Sequence, residues 1–138
     1  MSKVTRTNAI LPYVTWSDYS DKIGCALEVS SGSIPKVSLW EPGASRVFGV
    51  IIEADAERAS VAILHGGVSG TVKLKLLEET EIGDLLYPAK DNQDFGFGVV
   101  QNETYSGSSY ICAQALEDGV AGEMIEAVLF RPEAFTIA

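Results

Sequence analysis

The clearest periodicity in the sequence lies in Thr71-Val72-Lys73-Leu74-Lys75-Leu76, where apolar and polar side chains alternate residue by residue. Successive side chains of a β-strand point to opposite faces, so this alternation predicts a strand with its leucines buried and its lysines in water. A single strand is not stable on its own. The segment therefore implies further strands elsewhere in the chain.

Short runs rich in β-branched and aromatic residues occur along most of the chain, each of a length typical of a strand. Turn-forming residues such as Glu41-Pro42-Gly43 and Ile82-Gly83-Asp84 separate them. This spacing predicts an all-β fold, either a small β-sandwich or a β-barrel-like domain. Residues 53–59 and 115–121 have room for one or two helical turns at most. The predicted strands are 23–29, 36–40, 47–52, 60–64, 71–76, 84–87, 97–101, 110–115 and 124–130.

Residues 1–20 lack a regular alternation and are predicted to form an extended N-terminal arm, ahead of a single β domain over residues 21–138. Aromatic side chains in the arm, such as Tyr13 and Trp16, need a surface to pack on. The arm is slightly basic because its two basic residues precede the first acidic residue of the chain. We therefore expect the arm to dock on an acidic neighbour.

The chain has 138 residues, of which 46% are hydrophobic, and a formal net charge of −9. This composition indicates a folded protein, and its apolar runs are far shorter than the roughly 20 residues that cross a bilayer, so a membrane is not an expected partner. Residues 50–138 hold 15 acidic and five basic side chains, which argues against nucleic acid as a partner.

The two cysteines, Cys25 and Cys112, lie far apart in the sequence. The N-terminus lacks the apolar core of a secretory signal, so synthesis in the cytoplasm is expected. In that compartment both cysteines are predicted to be reduced and to act as small core residues, a disulfide between them being the alternative.

A faint internal repeat emerges when the sequence is offset by about 64 residues. It places Ile51-Ile52-Glu53 over Ala115-Leu116-Glu117, and Val61-Ala62-Ile63-Leu64 over Ile125-Glu126-Ala127-Val128. Cys25-Ala26-Leu27-Glu28 also resembles Gln114-Ala115-Leu116-Glu117. Duplication predicts such similarity, and chance resemblance between short β units accounts for it almost as well.

Candidate nucleophiles and metal ligands in the sequence lack the neighbours that their chemistry requires. His65 is the single histidine, and Cys25 and Cys112 lack the close pairing of zinc ligands. Ser33 and Lys36 have the spacing of a Ser-x-x-Lys pair, but the proline between them favours a turn over the helix that this pair needs.

The acidic clusters are typical of solvated turns and sheet edges. Glu53, Asp55 and Glu57 form one cluster and residues 78–81 another, each local in sequence. Asp91-Asn92-Gln93-Asp94 lacks the spacing of a calcium loop. The sequence thus predicts no enzyme, no cofactor and no metal site.

Five segments between residues 47 and 132 carry a family resemblance. They are Phe48-Gly49-Val50-Ile51, Ser60-Val61-Ala62-Ile63-Leu64-His65-Gly66-Gly67, Glu81-Ile82-Gly83-Asp84-Leu85-Leu86-Tyr87, Ala113-Gln114-Ala115-Leu116-Glu117, and the segment from Gly122 to Leu129. Together they resemble the capsid cement, or head decoration, proteins of tailed bacteriophages.

This resemblance implies a structural virion protein on the outer capsid surface. Such a protein, commonly a homotrimer, binds the expanded head and clamps neighbouring major capsid subunits. On the composition of the arm, we expect its basic residues to make polar contacts and its apolar residues to supply contact area. The predicted contact residues, with the capsid or between subunits, are Lys3, Arg6, Ile10, Leu11, Tyr13 and Trp16.

Other functions remain open at the level of sequence. A non-catalytic β-sandwich module that recognises a carbohydrate or a receptor would use Trp16, Trp40 and the tyrosines as stacking faces, although Trp40 lies in an apolar strand typical of a core. A carrier domain would need a modifiable lysine at a hairpin tip, and Lys90 lacks the expected flanking residues. An enzyme would have to assemble its site from residues distant in sequence.

Overall fold

The computed structural model describes residues 10–30, 36–42, 47–64 and 71–137. These residues form ten strands and one short 3-10 helix at Val100–Asn102, which confirms the all-β prediction. Every predicted strand segment overlaps an observed strand. The strands are β1 (Ile10–Thr15), β2 (Ala26–Ser30), β3 (Lys36–Leu39), β4 (Gly49–Ala54), β5 (Arg58–Ile63), β6 (Val72–Lys75), β7 (Leu85–Asp91), β8 (Asp94–Val99), β9 (Gly107–Ala115) and β10 (Met124–Ile137).

The strands form two units of five. In the N-terminal unit, β1 to β5 close into a barrel in the order β1-β3-β2-β4-β5. In the C-terminal unit, β6 to β10 form a sheet in the order β6-β10-β9-β7-β8. The two edges of this sheet meet at a parallel bridge between Leu76 and Phe97, so the sheet curls towards a second barrel.

The two units repeat one topology strand for strand. The first and third strands of each unit pair in parallel, and the other pairings are antiparallel. All five pairings also have the same register. The equivalent pairs are Leu27/Gly49 and Leu86/Ala113, Ile51/Val61 and Ala115/Ala127, Pro12/Ser60 and Lys73/Glu126, Val29/Val37 and Pro88/Phe97, and Thr15/Val37 and Leu76/Phe97.

This equivalence supports duplication and corrects the sequence alignment in two places. Ile51 does correspond to Ala115, but Val61 corresponds to Ala127 rather than to Ile125. The similarity of residues 25–28 to residues 114–117 is misleading, because Cys25 is the structural counterpart of Asp84.

The same glycine turn precedes the second strand of each unit. The Cys25 N–H donates to Lys22 O at 3.2 Å, and the Asp84 N–H donates to Glu81 O at 3.0 Å. The third residue of each turn is a glycine at positive φ, +82° at Gly24 and +93° at Gly83, as a type II turn requires.

At equivalent positions the cores of the two units hold side chains of different size, and these differences compensate one another. In the N-terminal unit Val37 faces Ile51 and Val61, whereas in the C-terminal unit Phe97 takes the place of Val37 and alanines take the places of the other two. A larger side chain on one strand is thus matched by smaller ones opposite it, which keeps the core filled.

The units share one hydrophobic core. Ala26, Val50 and Ala62 of the N-terminal unit belong to the same buried cluster as Val72 and Leu129 of the C-terminal unit. The backbone is joined as well, since the Lys75 N–H donates to Gly24 O at 3.2 Å. This packing fixes the two units against each other.

Both cysteines are free and buried, as predicted. Cys25 lies at the junction of the units, with its Sγ 3.4 Å from Phe95 O. Burial raises the pKa of the Cys25 thiol to about 11 and holds the pKa of Cys112 above its usual range. Both thiols are therefore neutral at physiological pH.

The described part of the predicted arm belongs to the barrel. Residues 10–15 form β1, which pairs with β3 and β5, and Tyr19 is buried. The sequence did not predict this strand, because Pro12 interrupts the alternation of polar and apolar residues. Tyr13 of this strand packs edge-on against Phe48 at a centroid distance of 5.3 Å. The helical turns predicted at 53–59 and 115–121 are wrong: both segments are strand ends and the links between strands.

Substitution of the two turn glycines tests the inter-unit contact. A Cβ at Gly24 would lie 2.7 Å from Met124 Cε and 2.8 Å from Lys75 N, whereas a Cβ at Gly83 meets nothing within 4 Å. Both alanine variants carry the cost of positive φ, about 1 kcal/mol. We expect Gly24→Ala to lower the free energy of unfolding by about 1–3 kcal/mol more than Gly83→Ala, measured by urea denaturation. Equal losses would contradict this packing of the units.

Candidate contact surfaces

The predicted contact residues separate into three groups. Lys3 and Arg6 lie outside the described residues. The backbones of Ile10 and Leu11 are strand residues of β1, opposite Ala62 and Val61 of β5. The remaining two, Tyr13 and Trp16, have described side chains.

Of these two side chains, Trp16 has the larger exposed surface. Tyr13 is half-buried against Phe48, whereas the Trp16 side chain is 57% exposed. The Trp16 N–H donates to Val37 O at 3.2 Å, which fixes the residue at the end of β1. A large aromatic surface held on a rigid strand is suited to binding a partner.

Lys36 shapes the surface around Trp16. Its Nζ lies 4.6 Å from the centroid of the Trp16 ring, within the range of a cation–π contact. Sequence reasoning missed Lys36 as a neighbour of Trp16, because the parallel pairing of β1 with β3 brings the two residues together. Their spacing in the sequence gives no signal of it.

A second exposed apolar surface lies at the end of the C-terminal unit. It comprises Ile82, Leu85, Leu116 and Val120, which we call the turn face. Ile82 is 66% exposed and Val120 is 53% exposed. Backbone and side-chain bonds hold the two chain segments that carry these residues, 80–85 and 114–120, next to each other. Exposed apolar side chains grouped on adjoining segments are typical of interaction sites.

Carboxylates hold the loops of the turn face. Asp118 Oδ1 accepts from the Ile82 N–H at 2.8 Å, and Glu123 Oε1 accepts from the Val120 N–H at 2.8 Å. Asp84 Oδ2 accepts from the Glu81 N–H at 2.9 Å. These acids therefore organise turns.

Glu78 organises the loop that follows β8. Its Oε2 accepts from the Val99 N–H at 2.8 Å, and its Oε1 accepts from Thr104 Oγ1 at 2.8 Å and Asn102 Nδ2 at 3.0 Å. The sequence placed Glu78 in an acidic cluster and gave no sign that it differs from Glu79. Its three bonds reach residues 21 to 26 positions away, so only the fold reveals them.

The residues considered for chemistry are not assembled into a site in the described part of the chain. His65 and Ser33 lie outside the described residues, and Lys36 is in β3. Lys90 lies within β7 rather than at the hairpin tip, and it pairs with Glu41. Among residues 10–30, 36–42, 47–64 and 71–137, no group of three or more histidine, cysteine or acidic side chains has a metal-binding arrangement, and no helix is long and apolar enough to cross a membrane.

Removal of the Glu78 carboxylate tests its role in the loop. We expect Glu78→Ala to lower the free energy of unfolding by about 1–3 kcal/mol, because it leaves the partly buried Val99 N–H without its acceptor. Glu79→Ala, at the exposed neighbouring acid, serves as the control and should stay within about 0.5 kcal/mol of the parent protein. Denaturant titration measures both, and similar values for the two variants would contradict the assignment.

Sequence comparisons add no relative to this picture. No protein-family model matches the chain, and no curated protein is significantly similar to it. The resemblance to phage cement proteins stays a prediction from the residues quoted above.

Proposed function

We propose that this protein is a structural virion protein that binds the outer surface of an expanded phage capsid and stabilises the head. In this role it clamps neighbouring major capsid subunits. The proposal is supported by the resemblance of five segments between residues 47 and 132, which the fold places as follows. Residues 48–51 lead into β4, residues 81–87 contain the turn before β7, and residues 122–129 lead into β10.

The exposed Trp16 is the observation on which the proposal rests. It lies at the end of β1, beside Lys36, on a strand that pairs on both sides within a closed barrel. Ordering such a residue costs little on binding, because its backbone is already fixed. A rigid aromatic anchor next to a cation fits a protein surface that offers both apolar area and acidic groups.

Clamping follows from mass action. A protein that binds the assembled shell but not free subunits stabilises the shell by its binding free energy. If each copy contacts more than one subunit, its contacts reinforce one another through effective concentration. Many modest interfaces over the whole shell then add up to a large stabilisation.

The alternative is a non-catalytic module that recognises a carbohydrate or a receptor, with Trp16 as its stacking surface. The structure limits this alternative, because Trp40 is only 2% exposed and Tyr87 only 1% exposed. Neither ring presents a face to a sugar. Glycan binding that depends on Trp16, without binding to shells, would favour this second function.

Cosedimentation with expanded shells that lack the protein tests the proposal. We expect binding to saturate at a fixed ratio to the major capsid protein, near one copy per subunit or a simple fraction of it. Trp16→Ala should weaken the binding by about tenfold or more, because a buried tryptophan anchor is lost. Val29→Ala, at another exposed apolar residue, is the matched control and should bind as the parent does. Failure to saturate well-formed shells would remove the proposal.

A further inference from the structure

The equivalent faces of the two units differ in what covers them. Ile23 of the glycine turn and Ile52 of β4 are half-buried and line a groove between the units together with Val72, Lys73 and Met124 of the C-terminal unit. Ile52 packs against the core that the units share. Gly24, in the same turn, is in contact with Met124 and with the Lys75 backbone. This face of the N-terminal unit is therefore half of the contact between the units.

The same face of the C-terminal unit is open. The register makes Ile82 the counterpart of Ile23. Leu116 follows Ala115 as Ile52, the bulged residue of β4, follows Ile51. Ile82 is 66% exposed and Leu116 is 41% exposed. A Cβ built on Gly83 would meet no atom within 4 Å, whereas a Cβ on its counterpart Gly24 would meet Met124 and Lys75 of the C-terminal unit.

The other half of the contact also has an open counterpart. In the C-terminal unit this half comprises Lys73, Lys75, Met124 and Glu126. Strand register gives their equivalents in the N-terminal unit, in the same order, as Pro12, Val14, Arg58 and Ser60. Pro12 and Arg58 are exposed, and Val14 and Ser60 are half-buried. We call these four residues of β1 and β5 the strand face.

We propose that the turn face of one copy binds the strand face of a second copy, head to tail, and so repeats between molecules the contact that joins the two units within one. The occupant is thus a second copy of this chain. Both halves of the internal interface recur, exposed, on the units that do not use them, so the contact between copies continues the contact within each copy.

Charge favours head-to-tail pairing over two turn faces meeting each other. Residues 77–86 and 114–123, which hold the turn face, carry seven acidic residues and no basic one. Two such ends repel each other. The strand face offers one cation, Arg58, beside the exposed acids Glu53, Asp55 and Glu57, so head-to-tail pairing brings fewer like charges together than two turn faces do.

The contact between copies is expected to be weaker than the internal one. One position that is apolar in the N-terminal unit, Val50, becomes the polar Gln114 in the C-terminal unit. Gln114 Nε2 also donates to Gly83 O at 3.0 Å. The equivalent oxygen in the N-terminal unit, Gly24 O, instead accepts from the Lys75 N–H of the C-terminal unit. A heterologous contact of this kind closes into a ring if the rotation between copies allows it and otherwise extends into a chain.

Complementation between two blocked variants tests the proposal without any capsid, so its outcome is independent of the proposed virion role. Ile82→Glu blocks the turn face, and Arg58→Glu blocks the strand face. Both residues are exposed, and Val29→Glu is a matched control outside both faces. Circular dichroism melts confirm that all three variants fold.

Sedimentation equilibrium then gives the association of each protein over a range up to about 1 mM. The parent and Val29→Glu should self-associate, and each blocked variant alone should associate at least about tenfold more weakly. An equimolar mixture of the blocked variants should form one-to-one dimers that grow no further, because each pair has one intact turn face and one intact strand face. A parent that stays monomeric, a blocked variant that associates as the parent does, or a mixture without dimers would each overturn the proposal.

Discussion

The contact between the Gly24 turn and the C-terminal unit is the constraint on which the rest of the structure depends. Met124 and the Lys75 backbone lie against this glycine so closely that a Cβ does not fit. The core that continues from Ala26 and Val50 to Val72 and Leu129 then makes two small units into one body. Neither unit alone buries these side chains, and a unit of about 60 residues is marginal in any case.

Fold class and most strands could be predicted from the sequence because the strands are short and turn residues separate them. β1 could not, since Pro12 breaks its pattern and its partners, β3 and β5, are set by barrel closure. The repeat was faint because exchanges in the core compensate one another: Val37 becomes Phe97 where Ile51 becomes Ala115. Register preserves the relationship that side-chain identity has lost.

The candidate surfaces were only partly visible in the sequence. Trp16 was predicted as a contact residue and its side chain is exposed, but its neighbour Lys36 emerges only from strand pairing. Ile23 and Ile82 have the same Ile-Gly context in the sequence, and only the fold shows that Ile23 is half-buried beside the second unit whereas Ile82 is exposed. A unit that occurs twice with the same contact face therefore leaves one such face exposed within the molecule.

Electron cryomicroscopy of expanded shells saturated with the protein tests whether it clamps capsid subunits. We expect density for each bound copy over a boundary between neighbouring capsid subunits, with the surface around Trp16 and Lys36 against the shell. Density confined to the middle of single subunits, or a bound copy whose Trp16 surface faces solvent, would contradict it.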